Sequence, residues 1–198
     1  NGQLKKEMMA EISATLAFSS IQNNDKVGVI FFSDKIEKFI PPQKGRKHIL
    51  LIIREIINFI PDNRATDVDC ALRFLNDAIK KRCAAFLISD FINAGDYQKS
   101  MSIANKKHDL TAIQVYDKRD SKMPDVGLIR VKDSETDLDC WIDTSSKRLR
   151  QIYDKSWYDQ QQKLNMIVAR CGVDIASIAT DEDYVKSLLG LFKKRSLH

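Results

Sequence analysis

The stretch "AAFLISDFINAG", residues 84–95, decides the fold. Ala84, Ala85, Phe86, Leu87 and Ile88 are apolar at consecutive positions, with no polar residue between them. A strand with one wet face alternates; a strand covered on both faces does not. Residues 84–89 are therefore read as a buried strand of a parallel sheet. It runs straight into Ser89 and Asp90, so a carboxylate is delivered at the end of a core strand. In an open parallel sheet that end is where ligands sit.

Working outward, helical and strand patterns alternate. "QLKKEMMAEISATLAFSSIQ", 3–22, repeats apolar residues at helical spacing. "KVGVIFFS", 26–33, is a second buried strand. "DKIEKFI", 34–40, alternates and suits an antiparallel edge strand ended by Pro41 and Pro42. "RKHILLIIREIINFI" is a helix stopped by Pro61, and "TDVDCALRFLNDAIKK" is another. Thr66 is the expected N-cap of that third helix, with Asp69 as an imperfect capping-box partner. "DYQKSMSIANKK" is read as helix and "DLTAIQVYD", 109–117, as strand. "VGLIRVKDSETDLDCWIDTS" is read as a hairpin with arms near 126–132 and 138–143. A long helix over 146–170, a strand over 172–180 and a closing helix complete the chain. The pattern predicts an α/β fold, a mostly parallel sheet with helices on both faces, in one domain spanning 1–198.

Bulk properties narrow the function. The 198 residues are 43% apolar and 30% charged, as in ordinary globular domains. The net charge of +5 is mild, and the basic clusters at 80–83, 105–108 and 192–196 fall at helix ends, where cations complement the dipole. Nucleic-acid binding is disfavoured on that ground. Cys70, Cys83, Cys140 and Cys171 are widely spaced, so no metal knuckle is present. Cys70 and Cys83 are read as buried reduced thiols of a cytoplasmic protein. No apolar run approaches the roughly 20 residues of a membrane-spanning helix. The chain has seven glycines, no two within ten residues, which excludes phosphate loops, dinucleotide turns and nucleophile elbows. His48, His108 and His198 occur in no metal or catalytic motif and are read as solvated. Trp141 and Trp157 are read as packing anchors. The acids at 133, 135, 137 and 139 form a polar turn rather than a calcium loop, since the Gly and closing Glu of an EF-hand are missing.

Two oxygen donors stand out. Asp90 ends the 84–89 strand, and Thr66 precedes a helix, in a loop expected at the same sheet edge. A hydroxyl and a carboxylate are hard ligands of the kind Mg²⁺ takes. Here the chain resembles a von Willebrand factor A domain, through "NDKVGVIFFSD", "TDVDCAL" and "FLISDF". More closely it resembles the bacterial "domain of unknown function 58" branch, through "IPPQKGRKHIL", "ISDF", "MPDVGLIRV", "WIDTS" and "TDEDYV". The resemblance covers essentially the whole chain. It implies a three-layer Rossmann-like fold, with Thr66 and Asp90 as the second and third positions of a metal-ion-dependent adhesion site.

The first element of that site, D-x-S-x-S, is absent, and the chain begins at Asn1 rather than Met. A partial domain lacking its first central strand is expected, with Mg²⁺ possible only in a full-length protein. Such a fragment should self-associate, swap elements, or close the gap by pairing its neighbours directly. By resemblance, the expected function is a non-enzymatic interaction module working with a MoxR-type AAA+ ATPase in assembling or maturing protein complexes. The alternatives are a Mg-dependent phosphotransfer or hydrolytic enzyme on a similar scaffold, and nucleic-acid binding.

Overall fold

A computed structural model of the chain describes residues 4–63, 65–92, 94–132 and 139–195. The elements in chain order are α1 (Lys5–Ser19), β1 (Val27–Phe32), β2 (Ile36–Gln43), α2 (Arg46–Asn58), α3 (Val68–Ala78), β3 (Ala84–Ser89), α4 (Gln98–Lys107), β4 (Asp109–Tyr116), α5 (Lys118–Ser121), β5 (Leu128–Lys132), β6 (Asp139–Asp143), α6 (Lys147–Cys171), β7 (Asp174–Ala179) and α7 (Tyr184–Arg195). The polar turn at 133–138 and the chain ends, with Gln3 and His198, lie outside the described residues.

The core is a parallel sheet in the order β3-β4-β7. Its register pairs Leu87 with Ala112 and Ala112 with Ile175. Side chains of a strand alternate between faces, and here each face has its own core. Leu110 and Ala112 join Ala85, Leu87, Val173 and Ile175 against Val68, Leu72, Met101, Ala104, Leu164 and Ile167 of α3, α4 and α6. Ile113 and Val115 join Phe86, Ile88, Ala176 and Ile178 against Met8 and Ile12 of α1 and Leu188 and Leu191 of α7. That is why β3 reads as an unbroken apolar run over 84–88: both parities are covered. The result is an α/β, Rossmann-like fold with helices on both faces, as the sequence pattern predicts.

β1 pairs only with β2, antiparallel, in a two-stranded sheet of its own. It nevertheless lies in the same layer. Val27, Val29 and Phe31 pack with Ala17 of α1 and with Ile49, Ile52 and Ile56 of α2, while Phe32 packs into the α3 face beside Val68 and Leu87. Helix α1 thus roofs both sheets and α3 floors both. Among the described residues no backbone ladder joins β1 to β3, so the gap is not closed by direct pairing.

Several expectations are corrected. β2 continues through Pro41 and Pro42 to Gln43; it is an edge strand, where a missing N–H costs no ladder bond. The N-cap of α3 is Asp67, not Thr66: the Asp67 carboxylate accepts from Cys70 N–H at 2.9 Å. Its own N–H donates to the Ser33 carbonyl at 2.8 Å, which ties this loop to the end of β1. His108 is fully buried rather than solvated, and His48 is half-buried with its Nε2 2.9 Å from the Val27 carbonyl oxygen. Cys70 and Cys83 are half-buried. Trp141 is exposed on the β5–β6 hairpin, opposite Arg130. Trp157 does pack, its ring centroid 5.7 Å from that of Tyr116. No described helix is long and apolar enough to cross a membrane.

Gly28 sits where the β1–β2 register shifts, and a Cβ there would lie 2.8 Å from the Ile40 carbonyl oxygen and 2.9 Å from the Pro42 nitrogen. Those are backbone atoms of the paired strand and cannot rotate away. Gly28→Ala should therefore lower stability by about 1–3 kcal/mol in urea unfolding.

His108 Nδ1 lies 3.4 Å from Cys83 Sγ, and its buried Nε2 has no partner among the described residues. Burial, helped by the Lys107 charge, holds the imidazole below its ordinary pKa of 6.5. The unfolded chain then binds the extra proton first, so stability should fall as pH drops below 6.5. Urea unfolding between neutral and mildly acid pH should show that slope, and His108→Gln should flatten it.

Candidate functional site

The carboxyl ends of the parallel strands gather acids on one rim. Asp34 follows β1, Asp90 follows β3, Asp117 and Asp120 follow β4, and Asp181 and Glu182 follow β7. Phe32, near the carboxyl end of β1, packs against the core that holds Leu87, Phe91 and Val68. Thr66, two residues before Val68, is half-buried at that end. Thr66 and Asp90 thus each adjoin a residue of one core, Val68 two positions after Thr66 and Phe91 directly after Asp90.

Locally, β3 is stopped by a tight turn. Ser89 Oγ accepts from Phe91 N–H at 3.1 Å and Asp90 Oδ1 accepts from Ile92 N–H at 3.2 Å. Phe91 has φ +56°, a left-handed conformation uncommon for a bulky residue. Its ring is buried and lies 6.0 Å from that of Tyr97, so packing holds the strained backbone. Behind the turn, Gln114 of β4 is buried; Ser177 Oγ donates to its Oε1 at 2.9 Å, and its Nε2 reaches the Asp90 carbonyl at 3.5 Å.

The Asp90 carboxylate has a partner that sequence analysis missed. Lys5 Nζ donates to Asp90 Oδ2 and to Asp120 Oδ2, both at 3.1 Å. The three side chains are 25–30% exposed. Burial works against the ammonium, but the two carboxylates outweigh it and the Lys5 pKa ends above its ordinary 10.5. Asp120 also accepts from Asp117 N–H at 3.2 Å, which fixes its position at the start of α5. Two signals were available in the sequence. A lysine in the first turn of a helix opposes the dipole unless acids lie nearby, and "DKRD", 117–120, is an acid pair spaced as a capping box.

The other rim acids are also matched. Hydrogen bonds from Asn63 and Ser33 hold Asp34 below its usual range. The Arg119 guanidinium does the same for Asp117, and Lys118 pairs with Asp181 at 2.9 Å. A resident metal does not fit this donor set. Among the described residues no three His, Cys, Asp or Glu side chains group to hold an ion, and a protein cation already neutralises Asp90. Thr66 and Asp90 supply two hard oxygens, short of the six of a Mg²⁺ shell unless water fills the rest.

Replacing Lys5 leaves Asp90 and Asp120 facing one another without their cation. Lys5→Met should cost about 1–2 kcal/mol in urea unfolding. The deficit should hold through neutral pH and close only above the ordinary lysine value of 10.5, where the parent's own ammonium discharges.

The likeness to known proteins is broad. Uncharacterized protein Rv1480 of Mycobacterium tuberculosis is 23% identical over 195 residues, 96% of this chain and 61% of that protein. This chain thus spans about three-fifths of its length. Uncharacterized protein MAV169 of Mycobacterium avium is 26% identical over 158 residues, 79% of this chain and 93% of that one. The crystal structure of conserved hypothetical protein BatB from Bacteroides thetaiotaomicron superposes with a TM-score of 0.56 at 14% identity, covering 96% of this chain and 89% of that chain. It shares the fold. Residues 1–163 match the family model described as "Protein of unknown function DUF58", so the chain belongs to the DUF58 family.

Proposed function

We propose that this chain is a non-enzymatic protein-interaction module on a von Willebrand factor A-like domain, acting in the cytoplasm. Its partner is a MoxR-type AAA+ ATPase, and its role is the assembly or maturation of protein complexes. Support for the partner comes from the motif resemblance and from DUF58 membership. The observation that carries the interaction role is the rim. Four segments present acids there, and Asp34, Asp90, Asp117, Asp120 and Asp181 each bind a Lys, Arg or Asn side chain. Such ion bridges are weak in water and exchange readily with the charges of a partner.

Thr66 and Asp90 lie on that rim as the two positions the resemblance assigns to a divalent-cation site. Alone they leave the shell incomplete. A phosphotransfer enzyme is the second reading, and Lys5 between two aspartates is the one feature that favours it. Against it, Asp90 is engaged twice, by the ammonium and by the Ile92 N–H.

The test is calorimetric titration of the intact protein with a MoxR-type ATPase. Saturable binding is expected, weakened roughly tenfold or more by Thr66→Ala or Asp90→Ala, with no turnover of p-nitrophenyl phosphate. Unchanged affinity in both variants removes the rim from the contact. Phosphate release that disappears in Asp90→Ala would make the protein an enzyme.

A further inference from the structure

We infer that the outward side of α2, with the turn before it, is a peripheral docking surface for an anionic phospholipid bilayer. The stretch "HILLIIREIINFI", 48–60, carries five apolar residues in a row, from Ile49 to Ile53. An α-helix turns once in about 3.6 residues, so such a run goes all the way round it. Helices of that kind are covered on every side. One side is covered here: Ile49, Ile52 and Ile56 are buried against Ala17 of α1, Phe31 of β1 and Ile40 of β2. The other side is not. Leu50 is 50% exposed, Ile57 63% and Ile60, just past the helix, 80%. Leu50 and Ile57 lie opposite the buried isoleucines on the helix, so they face away from the sheet.

Charge selects the occupant. Lys47, Leu50, Arg54 and Ile57 succeed one another at intervals of three and four, and therefore share one stripe of the helix. Lys44 and Arg46 are exposed where that stripe starts. The first turn of α2 holds no acid and Gly45 offers no side-chain cap, so the amide groups that open the helix add positive potential there. Glu55, on the flank, is bound by Lys38 at 2.6 Å and by Arg54 at 3.6 Å. Apolar side chains framed by cations require an occupant that is apolar inside and anionic at its surface. A bilayer fits that description better than a partner helix does. α2 meets α1 through the small side chains of Ala10 and Ala17, which brings the two helices close and leaves a ridge rather than a groove. A bilayer moulds itself to a ridge, and lysine and arginine stems run along apolar surface while their charges reach the phosphates. α1 carries Glu7 and Glu11, which confines the surface to α2 and its preceding turn. No described helix is long and apolar enough to cross a membrane, so α2 lies on the bilayer rather than through it.

Sedimentation with lipid vesicles tests this on the chain itself. Vesicles of equal parts phosphatidylglycerol and phosphatidylcholine should carry the protein down, less so as salt rises. Vesicles of phosphatidylcholine alone should leave it in solution. Leu50→Ser with Ile57→Ser should weaken binding roughly tenfold or more, and Arg46→Gln with Lys47→Gln should weaken it by roughly the same factor. All four side chains are exposed, so both variants should keep native circular dichroism. Ile103→Ser with Lys106→Gln, on α4 across the sheet, should change nothing. Absence of binding to the anionic vesicles by a natively folded chain overturns the inference. So does binding that both α2 variants retain, or that the cation pair alone weakens, which is adsorption of a chain of net charge +5 and no more. A helical peptide of leucine and glutamate is the rival probe. Saturable binding of that peptide, lost in the α2 variants while vesicles stay unbound, overturns the inference in favour of a protein partner. Dimerisation abolished by Leu50→Ser with Ile57→Ser, in place of vesicle binding, overturns it in favour of a second copy.

Discussion

A strand buried along its whole interior must be covered on both faces, and β4 imposes that requirement on the whole molecule. Its odd residues, Ile113 and Val115, and its even residues, Leu110 and Ala112, need separate cores. Each fully buried Leu, Ile or Val side chain contributes about 1.5–3 kcal/mol relative to exposure. No single helix could supply both covers. The chain meets the demand by alternating strand and helix, so that α1 and α7 cover one face and α3, α4 and α6 the other. The same two-sided cover reaches β1, which explains how a strand without a ladder to β3 keeps its place in the layer.

Parallel strands have a second consequence. All their carboxyl ends emerge on one side, so every connecting loop contributes to one rim. Here those loops open with acids, and each acid meets a local counter-group. Lys5 is the informative case. A cation in the first turn of α1 is unfavourable toward the helix dipole, yet it lies between Asp90 and Asp120 at 3.1 Å from each. The dipole term, a few tenths to about 1 kcal/mol, is outweighed by two charge-assisted bonds of about 1.5–3 kcal/mol each before desolvation. The bridge also pins the start of α1 to the ends of β3 and β4, where its apolar face must lie.

Much of this was legible because the dominant signals are local. The apolar runs at 27–32, 84–89, 109–116 and 174–179 gave their strands, and the amphipathic stretches gave their helices, with ends displaced by a few residues. What failed depended on tertiary partners. Pro41 and Pro42 were read as a stop, but a strand paired on one side only tolerates them. Thr66 and Asp67 are both good caps; the bond from Asp67 N–H to the Ser33 carbonyl selects the second. His108 follows two lysines and reads as surface, but the turn from α4 into β4 carries it inward against Cys83. Lys5 reaches Asp90 across 85 residues and Asp120 across 115, and Gln114 reaches Asp90 across 24, separations that no spacing rule joins. The places of Thr66 before α3 and of Asp90 after β3 were accessible through the strand and helix order.

The energetics of the acidic rim bear on the interaction role proposed for it. An ion pair at 25–30% exposure is partly screened, and exposed pairs contribute about 0.2–1 kcal/mol. Exchanging such pairs for a partner's charges is nearly neutral, which suits orientation and encounter rather than affinity. Under the proposed interaction role, the bridge of Lys5, Asp90 and Asp120 orients a partner rather than holding it.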